Sequence, residues 1–180
     1  MRNYTASKPK LDDMTLSKLG YWTDHGAYFY FFQSSPPPHV HSASIVLQEL
    51  ADYYRSVQLP VSYYQLDAWW YAQGGYNACL KTFEPNGKWF NTSLQQLQTS
   101  MNHSGWSLYH SYACHDSPYW KSKGGNFTPI STNANSTNLT DSLYALPSAE
   151  DAEAFYTEVF SQGLAQGMIG ERKTPLLFAF

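Results

Sequence analysis

The chain has 180 residues, which is an ordinary length for one domain. Hydrophobic residues make up 43% of it and aromatic residues 17%, so there is enough apolar material for a core, and a wholly disordered protein is excluded. Only 14% of the residues are charged, and the net charge is −3 without a basic run, which argues against nucleic acid or an anionic membrane as partner. No apolar stretch approaches the roughly 18 residues of a membrane span, so we expect no span in this chain.

The first part of the chain predicts alternating strands and helices. Residues 1–18 form a polar segment without the apolar core of a signal peptide, so we expect that the natural N-terminus is not represented here. A strand is predicted at Leu19–Thr23, and three prolines favour an extended loop over Ser34–His41. Apolar residues at helical spacing predict a helix over Ser42–Val57, and a β-branched and aromatic run predicts a strand over Val61–Leu66.

The second part continues this alternation. Ser93 and Gln96 have the spacing of a capping box and predict the start of a helix, and Trp106–Tyr112 predicts a third strand. Residues 121–142 are rich in Gly, Asn, Ser and Thr with almost no apolar periodicity, which predicts an exposed insertion. A third helix is predicted to begin near Ser148, because acidic residues follow it where the helix dipole favours them.

Strands that alternate with helices are typical of parallel βα units. We therefore predict an α/β fold, namely a partial (β/α)8 TIM barrel with about the first three to four βα units over residues 19–180. A complete barrel usually needs about 250 residues, so this domain is predicted to be incomplete. A doubly wound open sheet shows the same alternation and stays an alternative, although no Gly-rich phosphate fingerprint follows the first strand.

Most asparagines begin an Asn-x-Ser/Thr sequon, and these are Asn3, Asn91, Asn102, Asn126, Asn135 and Asn138. A sequon accepts a glycan only in the secretory pathway, so we predict a secreted or lumenal glycoprotein. The alternative is a Ser/Thr-rich cytosolic chain with accidental matches. Cys79 and Cys114 either pair in that oxidising compartment or remain two buried thiols.

Two segments place an aspartate where a predicted strand ends, among Trp and Tyr residues. The candidate binding residues in them are Trp22, Asp24, Asp67, Trp69 and Trp70. A carboxylate accepts hydrogen bonds from vicinal hydroxyls, and an aromatic face covers the apolar face of a sugar ring, so we predict a carbohydrate partner. The alternative for the aromatic residues is core packing, and for Asp24 it is stabilisation of a turn.

The same segments resemble a known family. Gly-Tyr-Trp-Thr-Asp at Gly20–Asp24 and Gln-Leu-Asp-Ala-Trp-Trp-Tyr at Gln65–Tyr71 resemble the opening of α-galactosidase-like and raffinose-synthase-like glycoside hydrolase barrels, over roughly Leu19–Tyr119. The resemblance implies that the second of the two aspartates hydrogen-bonds sugar hydroxyls and that one of the two tryptophans after it lines the pocket. It also implies that His110 belongs to the site, at the end of the third strand.

The catalytic residues of that family are not evident in this chain. The family is retaining, with an Asp nucleophile after the fourth strand and an Asp acid/base after the sixth. No Asp follows Asp151, and Glu171 is the only carboxylate near the first of these places. The resemblance therefore implies a catalytically incomplete fragment that keeps binding residues. A pair formed by Asp24 and Asp67 is an alternative, since neighbouring strands lie about 4.8 Å apart.

We predict no cofactor and no metal. His39 and His41 have a spacing that suits a metal site, but they follow three prolines without an obvious third ligand, so a solvated loop is the preferred interpretation. A second set with metal-ligating side chains is His110, Cys114, His115 and Asp116, but a Cys79–Cys114 disulfide explains the cysteine equally well.

Three functional hypotheses follow. The first is a glycoside-hydrolase-like protein that hydrolyses or transfers α-glycosides such as α-galactosides. The second is a secreted glycoprotein that binds carbohydrate without cleaving it, and the third is a structural protein in which a barrel ancestry is vestigial.

Overall fold

The computed structural model describes residues 14–23, 42–74, 79–132 and 144–169, which form a mixed α/β fold. The helices are α1 Met14–Ser17, α2 Ala43–Ser56, α3 Leu94–Met101 and α4 Ala152–Ala165, with a 3₁₀ turn at Lys121–Lys123. The strands are β1 Leu19–Trp22, β2 Val61–Leu66, β3 Tyr71–Gln73, β4 Leu80–Pro85, β5 Gly105–Leu108, β6 Ala113–Cys114, β7 Pro129–Ser131 and β8 Tyr144–Pro147.

A parallel sheet holds strands at the three predicted places. The third strand ends at Leu108 and not at the predicted Tyr112, because the following residues lead into β6. Its order is β1-β2-β5, so strands that follow one another across α2 and α3 also lie side by side. Beyond β5, Met168 forms a parallel bridge with Trp106, and the Ile169 amide donates to the Trp106 carbonyl at 2.7 Å. The chain therefore returns to the sheet after α4. The strands of the described part do not close into a barrel.

The helices lie close to their predicted positions. Ser93 accepts from the Gln96 amide and completes a capping box at the start of α3, as its spacing predicts. The third predicted helix begins later than expected, at Ala152, because Ser148 and Asp151 form a preceding turn in which the serine hydroxyl donates to the carboxylate at 3.0 Å. Each of the three longer helices buries one face, through residues such as Leu47, Leu97 and Val159.

A second, mixed sheet was not predicted from the sequence. Its order is β3-β4-β6-β8-β7, and its strands come from the segments after β2 and after β5. Part of the predicted insertion at 121–142 belongs to it, since Pro129–Ser131 pairs with β8. Apart from β4, which has six residues, its strands have two to four residues. Such short strands carry too little alternating pattern to be recognised, and long-range pairing determines them.

Aromatic side chains dominate the core between these layers. The largest buried side chains include Trp69, Trp70, Trp106, Trp120 and Phe155. Phe155 of α4 stacks on Trp120 with ring centroids 5.3 Å apart, which packs this helix against the segment between β6 and β7. Within the described residues, no helix has the length and apolar character needed to cross a membrane.

Candidate functional site

The parallel sheet has a helix-facing side and an opposite side, which we call the inner face. The Tyr64 ring packs against Tyr21 and Trp106, and the Trp106 indole donates to the Leu94 carbonyl of α3, so these rings face the helices. Because side chains alternate along a strand, Tyr63 and its i+2 neighbours project from the inner face. The inner face meets the carboxyl ends of the strands at the edge where parallel βα folds place ligand-binding residues.

Three buried polar side chains form a hydrogen-bonded network at that edge, which we call the carboxyl-edge triad: Thr23, Gln65 and Asp67. The Thr23 amide and hydroxyl both donate to Gln65 Oε1, at 3.0 and 3.3 Å. Gln65 Nε2 donates to Asp67 Oδ2 at 3.2 Å, and the Asp67 amide donates to Thr23 Oγ1 at 3.1 Å. The network joins the end of β1 to the end of β2 and fixes the orientation of the carboxylate.

Only 7% of the surface of Asp67 is exposed to solvent. Its Oδ1 accepts from the Ala68 amide at 2.6 Å, and its own carbonyl accepts from the Trp70 amide at 2.9 Å, so the strand ends in a tight turn. The turn and the triad together hold the carboxylate in one orientation at the end of β2.

Tyr71 adds a neutral hydroxyl near this carboxylate. Burial, together with the nearby Tyr109 hydroxyl, raises the pKa of Tyr71 well above its ordinary value, while a hydrogen bond with Ser111 opposes that shift. The negative charge of Asp67 contributes in the same direction as burial. The phenol stays protonated and keeps its hydrogen as a donor.

The predicted tryptophans occupy different environments. Trp22 ends β1 beside Gln65 and exposes 61% of its surface, so its ring is open to a ligand. Trp69 and Trp70 are 0% exposed. Trp69 stacks on Phe90 with ring centroids 5.8 Å apart, and the Trp70 indole donates to the Tyr109 carbonyl at 2.9 Å. The core-packing alternative describes the observed positions of both.

His110 lies on the helix side of the sheet and not on the inner face. Its ring packs among Phe83, Tyr156 and Phe160, the last two from α4. Burial lowers the pKa of His110 to about 4, so the ring is neutral at ordinary pH. Its Nε2 is buried without a hydrogen-bond partner among the described residues. The structure thus does not bring His110 together with Asp67 on one face.

The two cysteines are joined in a disulfide, Cys79–Cys114, with Cα atoms 5.0 Å apart. It links the start of β4 to β6 within the mixed sheet. The sequon residues Asn91, Asn102 and Asn126 are exposed. The other predicted site residues Asn3, Asn135, Asn138 and Asp24 lie outside the described residues, as do His39, His41 and Glu171.

Metal ligation finds no support in the described part of the chain, where no three His, Cys, Asp or Glu side chains are placed to hold an ion. Asp116 instead pairs with Lys81 at 3.0 Å, and the hydrogen bond from Lys81 lowers the pKa of that carboxyl. Two shallow surface depressions are also remote from Asp67. One lies over acidic residues of α4, and the other lies between α2 and α3.

Sequence reasoning missed Thr23 and Gln65 as members of the site. The usable signal was the position of Gln65 within a short apolar strand, two residues before an aspartate, because alternation places both side chains on one face. A buried amide and a buried carboxylate on one face need each other as hydrogen-bond partners.

The comparisons with known proteins add no relative. No family model matches the chain, and neither the curated proteins nor the solved structures include a significant match.

Proposed function

We propose that the chain forms the first βα units of a (β/α)8-type barrel and supplies the hydroxyl-binding side of a carbohydrate site. Three parallel strands in chain order, with α2 and α3 between them, support the barrel interpretation. The return of Met168 beside β5 after α4 supports it further, since each new unit of a barrel adds a strand at that edge.

The observation that carries the functional proposal is the carboxyl-edge triad. In parallel barrels the active site forms at the carboxyl ends of the strands, and the triad holds a buried carboxylate there. Trp22 is exposed beside Gln65 and offers an apolar face to a sugar ring. An open indole and a carboxylate that both lie at the ends of neighbouring strands are suited to a pyranose.

The reaction class that we propose is hydrolysis or transfer of α-glycosides such as α-galactosides, in line with the resemblance of Gly20–Asp24 and Gln65–Tyr71 to that family. Binding without cleavage is the second candidate. It is favoured by the donors on both oxygens of Asp67, because these stabilise the ionised carboxylate that accepts hydrogen bonds and not the protonated form of a general acid.

We also propose that the protein works in a secreted or lumenal compartment. The Cys79–Cys114 disulfide and the exposure of Asn91, Asn102 and Asn126 support this proposal, since disulfides persist and sequons are used in the secretory pathway.

The test uses protein secreted from a eukaryotic host and aryl α-galactosides and α-glucosides as substrates. Hydrolysis that Asp67→Asn abolishes and Asp116→Asn leaves unchanged supports the hydrolase. The second substitution is a matched control, because Asp116 pairs with Lys81 at the surface. Sugar binding without hydrolysis, lost in Asp67→Asn, supports the binding protein. Absence of both binding and hydrolysis contradicts both candidates.

A further inference from the structure

A groove runs along the surface between α2 and α3. Side chains of both helices and of the residue before the α3 cap line it, and these are Ser44, Ile45, Gln48, Glu49, Thr92, Leu97 and Ser100. Ile45 exposes 52% of its surface at this place and offers an apolar side chain to a ligand. The floor of the groove is therefore apolar, with polar atoms along its sides.

Two buried polar atoms of the groove lack hydrogen-bond partners in the described part of the chain. They are Ser44 Oγ and Gln48 Oε1. Ser44 is only 6% exposed, so water has little access to its hydroxyl. An unsatisfied buried hydroxyl or amide oxygen is destabilising, and such groups in a native protein call for a partner. Gln48 Nε2 is already engaged, because it donates to Asp52 Oδ1 at 3.2 Å, so the amide oxygen is the part left unsatisfied.

The groove begins beside the Asn91 sequon. Thr92, the middle residue of that sequon, lines the groove, and Ser93, its last residue, caps α3. Asn91 is exposed, and its Oδ1 accepts from the hydroxyl of Ser42, the N-cap residue of α2, at 3.4 Å. This hydrogen bond uses Oδ1 and not Nδ2, the atom to which an N-glycan is attached.

We propose that Asn91 carries an N-glycan whose first N-acetylhexosamine lies in the groove between α2 and α3. The glycan comes from a lipid-linked oligosaccharyl diphosphate. The sugar C1–oxygen bond to the diphosphate breaks, the C1–Nδ2 bond forms, and the amide proton leaves to the released lipid diphosphate. The inference shares only the secretory compartment with the proposed function, and it is independent of sugar binding at Asp67.

The chemistry of the groove matches a neutral amino sugar. The Glu49 carboxylate accepts from a sugar hydroxyl. Gln48 Oε1 and the Ser44 hydroxyl are closed to water in the free protein, and they reach the same ring after the lining side chains change rotamer. The apolar face of the pyranose covers Ile45. Ser44 and Gln48 are one helical turn apart, about 6 Å along the axis, which is comparable to the length of one pyranose residue.

The other described sequons lack this arrangement. Asn102 ends α3 in the left-handed region with φ 54°, and Asn126 is exposed after the 3₁₀ turn. No residue of either sequon lines the α2–α3 groove, whereas Thr92 of the Asn91 sequon does. Glycans at these two positions are therefore expected to point into solvent without ordering the helices, and they serve as internal controls.

The first experiment compares three forms of the secreted glycoprotein by hydrogen exchange resolved along the chain. One form is intact, one is trimmed by an endoglycosidase that leaves a single N-acetylglucosamine, and one is stripped by an amidase. Trimming is expected to leave exchange over residues 44–49 unchanged, and stripping is expected to accelerate it. Asn91→Asp is the matched control for the amidase product. An unoccupied Asn91, or equal exchange in all three forms, overturns the proposal.

A second experiment compares the sign of the change in Tm that one substitution causes in two backgrounds. In the glycosylated protein, Ser44→Ala removes a hydroxyl that the sugar satisfies and is expected to lower Tm by a few degrees. In an Asn91→Gln background the same change removes an unsatisfied buried hydroxyl, so it is expected to leave Tm unchanged or raise it. An identical shift in both backgrounds overturns the proposal, even where Asn91 is glycosylated.

Discussion

Gln65 Nε2 donates to Oδ2 of Asp67, two residues further along the chain, at 3.2 Å, and both side chains are almost completely buried. The amide oxygen of the same Gln65 accepts from Thr23 at the end of the neighbouring strand. One side chain thus connects the carboxylate to the adjacent strand. The position of Asp67 depends on the pairing of β1 with β2, and a defect in either strand is transmitted to it.

Thr23→Val is expected to destabilise the protein by about 1–3 kcal/mol, because it leaves the buried Asp67 amide without its acceptor. The substitution keeps the shape of the side chain, so packing changes little. Thr23→Ser retains the hydroxyl and is the matched control. Urea unfolding measures both variants, and equal losses for Val and Ser would show that the hydroxyl does not hold the network.

Acid is expected to destabilise the fold through its buried histidines. Burial lowers the pKa of both His103 and His110 to about 4. Between pH 6.5 and 4 the unfolded chain binds protons at these residues that the folded chain does not, so stability falls as pH falls through this window. The expected loss at pH 5 is roughly 2 kcal/mol for each histidine.

His110→Phe is expected to remove about half of this pH dependence, since a phenyl ring suits the aromatic surroundings of Phe83 and Phe160 and does not titrate. The free energy of unfolding at pH 7 and at pH 5 is measured for the variant and for the parent. An equal change in the free energy of unfolding between pH 7 and pH 5 in the two proteins would contradict a lowered pKa for His110.

Removal of the disulfide is expected to cost about 3–4 kcal/mol. Cys79 and Cys114 are 35 residues apart. Cross-linking a loop of that length lowers the entropy of the unfolded chain, which raises the free energy of unfolding by roughly this amount. The double variant Cys79→Ala with Cys114→Ala is compared with the parent by urea unfolding, with and without reductant. The parent should lose stability in reductant, and the double variant should not. If reductant changes the stability of neither protein, the disulfide does not stabilise the fold.

The close approach of β1 and β2 on the inner face predicts a coupled pair of substitutions. A Cβ atom at Gly20 would overlap the Tyr63 ring, so Gly20→Ala forces this ring to move and is expected to lower Tm. Tyr63→Ala opens the space, and Gly20→Ala should cost less in that background. Additive effects of the two substitutions would contradict the packing of Tyr63 over Gly20.

The elements that the sequence predicts well are those with a local signal. The strand Val61–Leu66 has a β-branched and aromatic run that follows Pro60, and α3 has its capping box at Ser93. The two-residue strand Ala113–Cys114 has no such signal, because only its pairing with β4 and β8 makes it a strand. Local sequence cannot encode that long-range pairing.

The candidate site was predictable only in part, for a related reason. The residues that follow β2 indicate that Asp67 and the two tryptophans after it are close together. The burial of Trp69 and Trp70, however, depends on partners distant in sequence, such as Phe90. The surroundings of His110 were not accessible from alternation, because β5 ends at Leu108 and contacts with Tyr156 and Phe160 of α4 place its ring.

The most direct test of the central claim is a titration of the secreted protein with methyl α-D-galactopyranoside and methyl α-D-glucopyranoside, followed by saturation-transfer NMR. We predict that at least one of the two sugars binds. We also predict that Asp67→Asn weakens this binding at least about tenfold, or about 1.4 kcal/mol, while Asp116→Asn binds like the parent. Equal affinity in Asp67→Asn and the parent, in folded proteins with the same Tm, would contradict a carbohydrate site built on Asp67.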